Sequence, residues 1–130
     1  MARMPRANGW VLCAILPLLA ASCGSQPGGS NALPSWVAAY PAAPPQSTGS
    51  TKTPDGLQRD FTFKTTDDAE KILNFYQRQL IQNGLHMEAR GGGEYGGMLK
   101  AADDSRKREV TVDIHADKGA SEVTITVVEK

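Results

Sequence analysis

Two histidines and two carboxylates are the closest this sequence comes to reactive chemistry. His86, Glu88, Asp113 and His115 are residue types that ligate zinc, and strand alternation puts all four on one outward face. In a meander, however, the strand around Leu99 runs between the strands of the two histidines. Strands two apart lie ~9.6 Å from each other, against zinc–nitrogen bonds of ~2.1 Å. The spacing therefore argues for a solvated face, and no metal or other cofactor is expected. The run Gly91–Gly97 lacks a Gly-Lys-Ser/Thr ending and precedes a strand, so the helix N-terminus of a phosphate cradle is missing. It reads as a mobile hairpin loop with Tyr95 at its tip. Asp103 and Asp104 are adjacent, so as a paired acid and base they would point apart. With Arg106, Lys107 and Arg108 they make a solvated turn. No Gly-x-Ser-x-Gly elbow is present. No catalytic residue is identified, and the chain is expected not to be an enzyme.

The remaining reactive side chains are Cys13 and Cys23, and their setting is a targeting segment. Met1 to Asn8 carry Arg3 and Arg6 without an acid, and Trp10 to Ala21 follow as an apolar run. Twelve residues interrupted by Pro17 are too short for the ~20 that a spanning helix needs, but they fit a secretory signal. Leu19-Ala20-Ala21-Ser22-Cys23 then resembles the lipobox of bacterial lipoproteins. That resemblance implies cleavage of residues 1–22 by signal peptidase II and acylation of Cys23. Position 20 departs from it, since the family favours Leu there; cleavage as an ordinary secretory signal is the alternative. Processing removes Arg3 and Arg6, leaving 12 basic against 14 acidic residues and a formal charge of −2. Cys13 leaves too, so Cys23 is alone and no internal disulfide can form. Several acyl chains at ~0.8 kcal/mol per buried CH₂ give stable anchoring. Gly24 after the cysteine, by the same resemblance, implies delivery to the outer membrane, with the domain exported to its periplasmic side. The absence of net positive charge leaves no field that would gather nucleic acid.

Residues 23–55 read as the lipidated N-terminus and a tether. Of the 32 residues from Gly24 to Asp55, 18 are Gly, Pro, Ser or Thr, and the first charge is Lys52. Such a segment buries too little apolar surface to offset its ordering entropy, and as a coil it would span ~30 Å. Within it, Trp36 and Tyr40 are either an exposed Pro-aromatic recognition segment or, with Val37, a piece folded back over an apolar edge.

Residues 56–130 form the folded unit. Leu57, Phe61 and Phe63 alternate with polar neighbours as a half-buried strand from Leu57 to Lys64. Asp67, with Glu70 three residues on, looks like a helix N-cap. Ala69, Ile72, Leu73, Tyr76 and Leu80 then make one apolar stripe on a helix over Asp68–Asn83. Gly84 and Leu85 suit a Schellman stop. Everything beyond reads as β, with Leu85, Met87 and Ala89 inward and His86, Glu88 and Arg90 outward in the first strand. A weak strand lies around Met98–Ala102. Val110, Val112 and Ile114 face Val123, Ile125 and Val127 in a closing hairpin through Asp117-Lys118-Gly119. The fold class is α+β, one amphipathic helix on a mostly antiparallel four- to five-stranded sheet in the order β-α-β-β-β-β.

Trp36, Tyr40-Pro41, Thr65 to Asp67, Phe75-Tyr76, Leu80 and Asn83-Gly84 together resemble small uncharacterised α+β envelope lipoproteins. The resemblance implies a fold and an address. The function expected is a non-enzymatic, lipid-anchored protein that binds or assists another envelope protein, with Trp36, Tyr40 and Tyr95 as candidate contacts. The alternative is a small-ligand or metal-binding module that uses the exposed sheet face.

Overall fold

The computed structural model describes residues 32–130. The expected signal peptide, Cys23 and the first part of the expected tether lie outside the described residues. Six strands and one helix follow in the order β1 (Gln46–Thr53), β2 (Gly56–Thr65), α1 (Ala69–Gln82), β3 (His86–Gly93), β4 (Gly96–Ala102), β5 (Arg108–Asp117) and β6 (Ala120–Glu129). They form one antiparallel sheet ordered β1-β2-β6-β5-β4-β3. Strands β3 to β6 are a meander whose last member returns to pair with β2. The fold is thus α+β as expected, with one or two strands more than the four to five expected.

The additional strand is β1, in a stretch expected to be coil. Its sequence, QSTGSTKT, carries no apolar residue, so no alternation betrays it. Backbone pairing to β2 holds it at the sheet edge, and its polar side chains and Lys52 suit an edge strand.

Helix α1 buries Ala69, Ile72, Leu73, Tyr76 and Leu80, the stripe read from the sequence. Its N-cap is Asp68, not Asp67. The Asp68 carboxylate accepts from Lys71 N at 2.8 Å, and Asp67 is turned to another partner. The far end closes as expected. Gly84 N donates to Ile81 O at 3.1 Å and Leu85 N to Leu80 O at 3.1 Å, with Gly84 at φ +86°.

A helix ~10 Å across cannot cover a six-stranded sheet ~24 Å wide. Helix α1 packs over β3, β4 and β5. The segment Leu33–Ala43 completes the layer over the β2 side, where Trp36, Val37, Tyr40 and Ala43 join Phe61, Phe63, Tyr76 and Val127 in one core. Tyr40 stacks on Phe63 at 5.2 Å between ring centres and meets Phe75 edge-on at 5.1 Å. Tyr76 Oη donates to Ala38 O at 3.1 Å, and Gln79 Nε2 to Trp36 O at 3.1 Å. Trp36 and Tyr40 are therefore core side chains and not exposed partner contacts. Of the two sequence readings, the folded-back one describes them.

Two strand faces differ from the alternation expected. Arg59 shares the parity of Phe61 and is buried, paired with Glu129. In β3 a bulge between Met87 and Ala89 shifts the register, which sets Arg90 opposite Leu99 on the helix side. There Arg90 Nη2 donates to Glu70 Oε1 at 2.7 Å and Asn74 Oδ1 at 2.9 Å, tying the helix to the sheet edge.

Candidate functional site

All the hairpin turns at one end of the sheet gather around the start of the helix. The β3–β4 turn is only Glu94-Tyr95, because Gly91–Gly93 and Gly96–Gly97 are paired strand. The expected mobile loop is a tight hairpin. Its glycines have a packing reason: a Cβ on Gly92 or Gly97 would come within 2.9 Å of Leu73 Cδ1. The β5–β6 turn has Lys118 at φ +47° and Gly119 at φ +79°, the left-handed pair of a two-residue hairpin. Ala116 N donates to Tyr95 O at 2.9 Å, linking the two turns. Ser121 Oγ donates to Asp67 O at 2.8 Å, linking β6 to the helix start.

Between these three elements lies an open cleft of about 520 Å³. Asp67, Asp68, Glu70, Glu94 and Asp117 line it, with Lys118 as the one cation in its lining. Tyr95 stands at its rim with 78% of its surface exposed, the largest exposure among the large apolar side chains described. A second groove of about 650 Å³ runs along the helix past Pro41, Asn74, Phe75 and Arg78 and shares the same helix start. Beneath the helix Tyr76, Phe61, Ile72, Leu73, Leu80 and Leu99 are fully buried.

Asp67 is the hinge of this geometry. Tyr40 Oη donates to Asp67 Oδ2 at 2.5 Å, and Lys71 Nζ lies 3.3 Å from Oδ1. The Tyr40 hydrogen bond holds the Asp67 carboxyl below the usual carboxylate range, partial burial opposes it, and Lys71 reinforces it. Burial, and then Asp67 itself, push the Tyr40 phenol up. At the opposite end of the sheet Asp103 also lies low. Burial would raise it, but hydrogen bonds from the Arg108 side chain, the backbone and Ser105 bring it down to about 2. Both carboxyls are depressed in the folded state, so their contribution is complete above the ordinary value near 3.8 and is lost as pH falls below it. Stability is expected to decline between pH 4 and about 2, and Asp103→Asn to flatten part of that slope in urea midpoints measured across the range. An unchanged slope in this variant would remove Asp103 from the account.

The residues singled out for metal chemistry are not brought together. His86 lies opposite Ala102, which in turn pairs with Glu109, whereas His115 pairs with Gly96 at the other end of β4. Six ladder positions, ~20 Å, separate them along the strands, and β4 stands between. Glu88 sits in the bulge against Arg106 at 2.5 Å, and His86 Nδ1 is 3.3 Å from Asp104. Among the described residues no three His, Cys, Asp or Glu side chains gather as a metal site. Tyr95 is the one candidate contact on the exposed surface. Sequence reasoning missed the convergence of Asp67, Glu94 and Asp117, which are remote in sequence. It also missed Arg59, although the Leu57–Phe61–Phe63 parity contained the signal.

The fold and cleft define a class, a small α+β domain with one helix over an antiparallel sheet and its open recess at the helix start. Residues 45–130 match the family described as START domain-like, and the chain belongs to that family. The match begins one residue before β1, so Leu33–Ala43, which completes the core, lies outside it. No curated protein and no solved structure matches the chain.

Proposed function

We propose that this chain is a non-enzymatic, lipid-anchored envelope protein whose START domain-like unit is a binding module, and that it engages another envelope component at the end cleft. The observation that carries this reading is the recess of about 520 Å³ between two linked hairpin turns and the helix start, with Tyr95 exposed at its rim. Membership of the START domain-like family supports a ligand-binding role. The side chains between helix and sheet are fully buried while the recess is open to solvent, and the carboxylates of its lining favour a partner group that is cationic or donates hydrogen bonds. The lipobox-like run ending at Cys23 supports the anchor. Among the described residues no helix is long and apolar enough to cross a membrane.

A photo-crosslinking amino acid at position 95, in cells, tests the reading. A discrete adduct is expected that is absent when the same group replaces Thr111 on the outer sheet face. Asp117→Lys, on an exposed turn, is expected to reduce the adduct several-fold with no change in melting temperature. No adduct at 95, or one indifferent to Asp117→Lys, would sink the reading.

A further inference from the structure

The chain enters the domain at the end opposite the cleft. Ala32 O accepts from Arg59 Nη1 at 3.4 Å, and Trp36 Nε1 donates to Glu129 Oε2 at 3.4 Å, both beside the last residues of β6. From there the segment climbs the sheet until Tyr40 meets Asp67 at the cleft end. With Ala32 held on the domain, at most eight residues, 24–31, separate it from Cys23, against the 32 suggested by composition. Fully extended, the nine steps from Cys23 to Ala32 reach ~30 Å at most. The domain is about as long as that full extension. From Glu129 to the tip of the β5–β6 turn at Gly119 is ten residues of strand, ~33 Å. A domain standing with its cleft against the bilayer would need the spacer stretched to nearly its full length, a conformation that costs chain entropy.

Charge acts in the same direction. Asp67, Asp68, Glu94 and Asp117 at the cleft end would be repelled by an anionic lipid surface. The opposite end is balanced, with Lys52, Arg59, Arg106, Lys107, Arg108 and Lys130 against Asp55, Glu88, Asp103, Asp104, Glu109 and Glu129, so it lacks the net negative charge of the cleft end, and it half-exposes Ile81 in the last helical turn.

We infer that the domain rests on the lipid surface by the end formed by the β1–β2 turn, the β4–β5 turn and the C-terminus of α1, with the cleft held outward. This inference rests on acylation of Cys23. The short spacer makes the orientation a consequence of chain length, so an outward cleft is presented to a partner arriving from the aqueous side.

The test uses the full-length acylated protein in vesicles of phosphatidylethanolamine and phosphatidylglycerol that contain a lipid with a nitroxide on its headgroup. A small fluorophore is placed at Lys107→Cys in one sample and at Lys118→Cys in another, both exposed positions. Quenching at 107 is expected to exceed that at 118 several-fold. Inserting 24 Gly and Ser residues after Ser25 is expected to remove most of the difference. Equal quenching, or stronger quenching at 118, overturns the inference while leaving the anchor standing. Failure of the protein to float with the vesicles overturns the anchor, and the orientation with it.

Discussion

Tyr40→Ala is expected to destabilise the domain by about 3–5 kcal/mol, the range for removing a large buried aromatic. Such a loss is a large part of the ~5–15 kcal/mol that holds a typical domain together. Three features of its setting predict this. Tyr40 is 4% exposed, so the whole ring would leave a void. It packs on Phe63 and Phe75 with ring centres 5.2 and 5.1 Å away, geometries that add to simple burial. It also fixes a segment with no regular secondary structure, so the ordering of Leu33–Ala43 depends on a few anchoring side chains. Tyr40→Phe separates these contributions. The ring contacts survive, only the hydroxyl on Asp67 is lost, and a smaller drop is expected, with the Asp67 carboxyl moving back up toward 3.8. Urea unfolding followed by circular dichroism measures both. A loss below about 1 kcal/mol for Tyr40→Ala would mean that the segment lies on the domain without stabilising it.

The same residue shows where sequence reasoning reaches and where it stops. Helix α1 was legible because Ala69, Ile72, Leu73, Tyr76 and Leu80 carry a 3.6-residue period and Gly84 ends it. The β5–β6 hairpin was legible because Val110, Val112 and Ile114 alternate against Val123, Ile125 and Val127 around a Lys-Gly turn. These signals are local. The covering role of Trp36 and Tyr40 is a property of width, since the helix leaves half a sheet bare, and the width was unknown while β1 was unseen. Strand β1 was unseen because an all-polar edge strand takes its order from its neighbour's backbone and not from its own pattern. The inward turn of Arg90 depends on a one-residue bulge at Glu88, which shifts every later residue of β3 to the other face. The end cleft depends on all of these, because it exists only where the tertiary fold brings three turns together. Residue type alone could single out Tyr95, but nothing in its neighbourhood predicts Asp67 or Asp117 as company.

Gly96→Ala is expected to cost about 3 kcal/mol or more, and Gly93→Ala about 1 kcal/mol or less, although the two glycines flank the same two-residue turn. The contrast follows from backbone geometry. Gly96 has φ +141°, a region that costs a residue with a Cβ of order 1–3 kcal/mol. An added Cβ would also overlap Ile114 O and lie 2.9 Å from Ile114 C and 3.3 Å from His115 Cα. Relief requires β4 to move away from β5 where Gly96 pairs with His115, the first rung of that ladder. Gly93 shows no positive φ, and nothing lies within 4 Å of where its Cβ would be. There the change adds only a methyl on an exposed edge. The two variants also separate fold from site. Relief at Gly96 displaces Tyr95, whose carbonyl accepts from Ala116 N at 2.9 Å, so the rim of the cleft moves with it. Chemical denaturation of the two variants, together with the crosslinking yield from position 95, is expected to show both quantities falling in Gly96→Ala and neither changing much in Gly93→Ala. Equal denaturation midpoints for the pair would contradict the hairpin geometry on which the cleft depends.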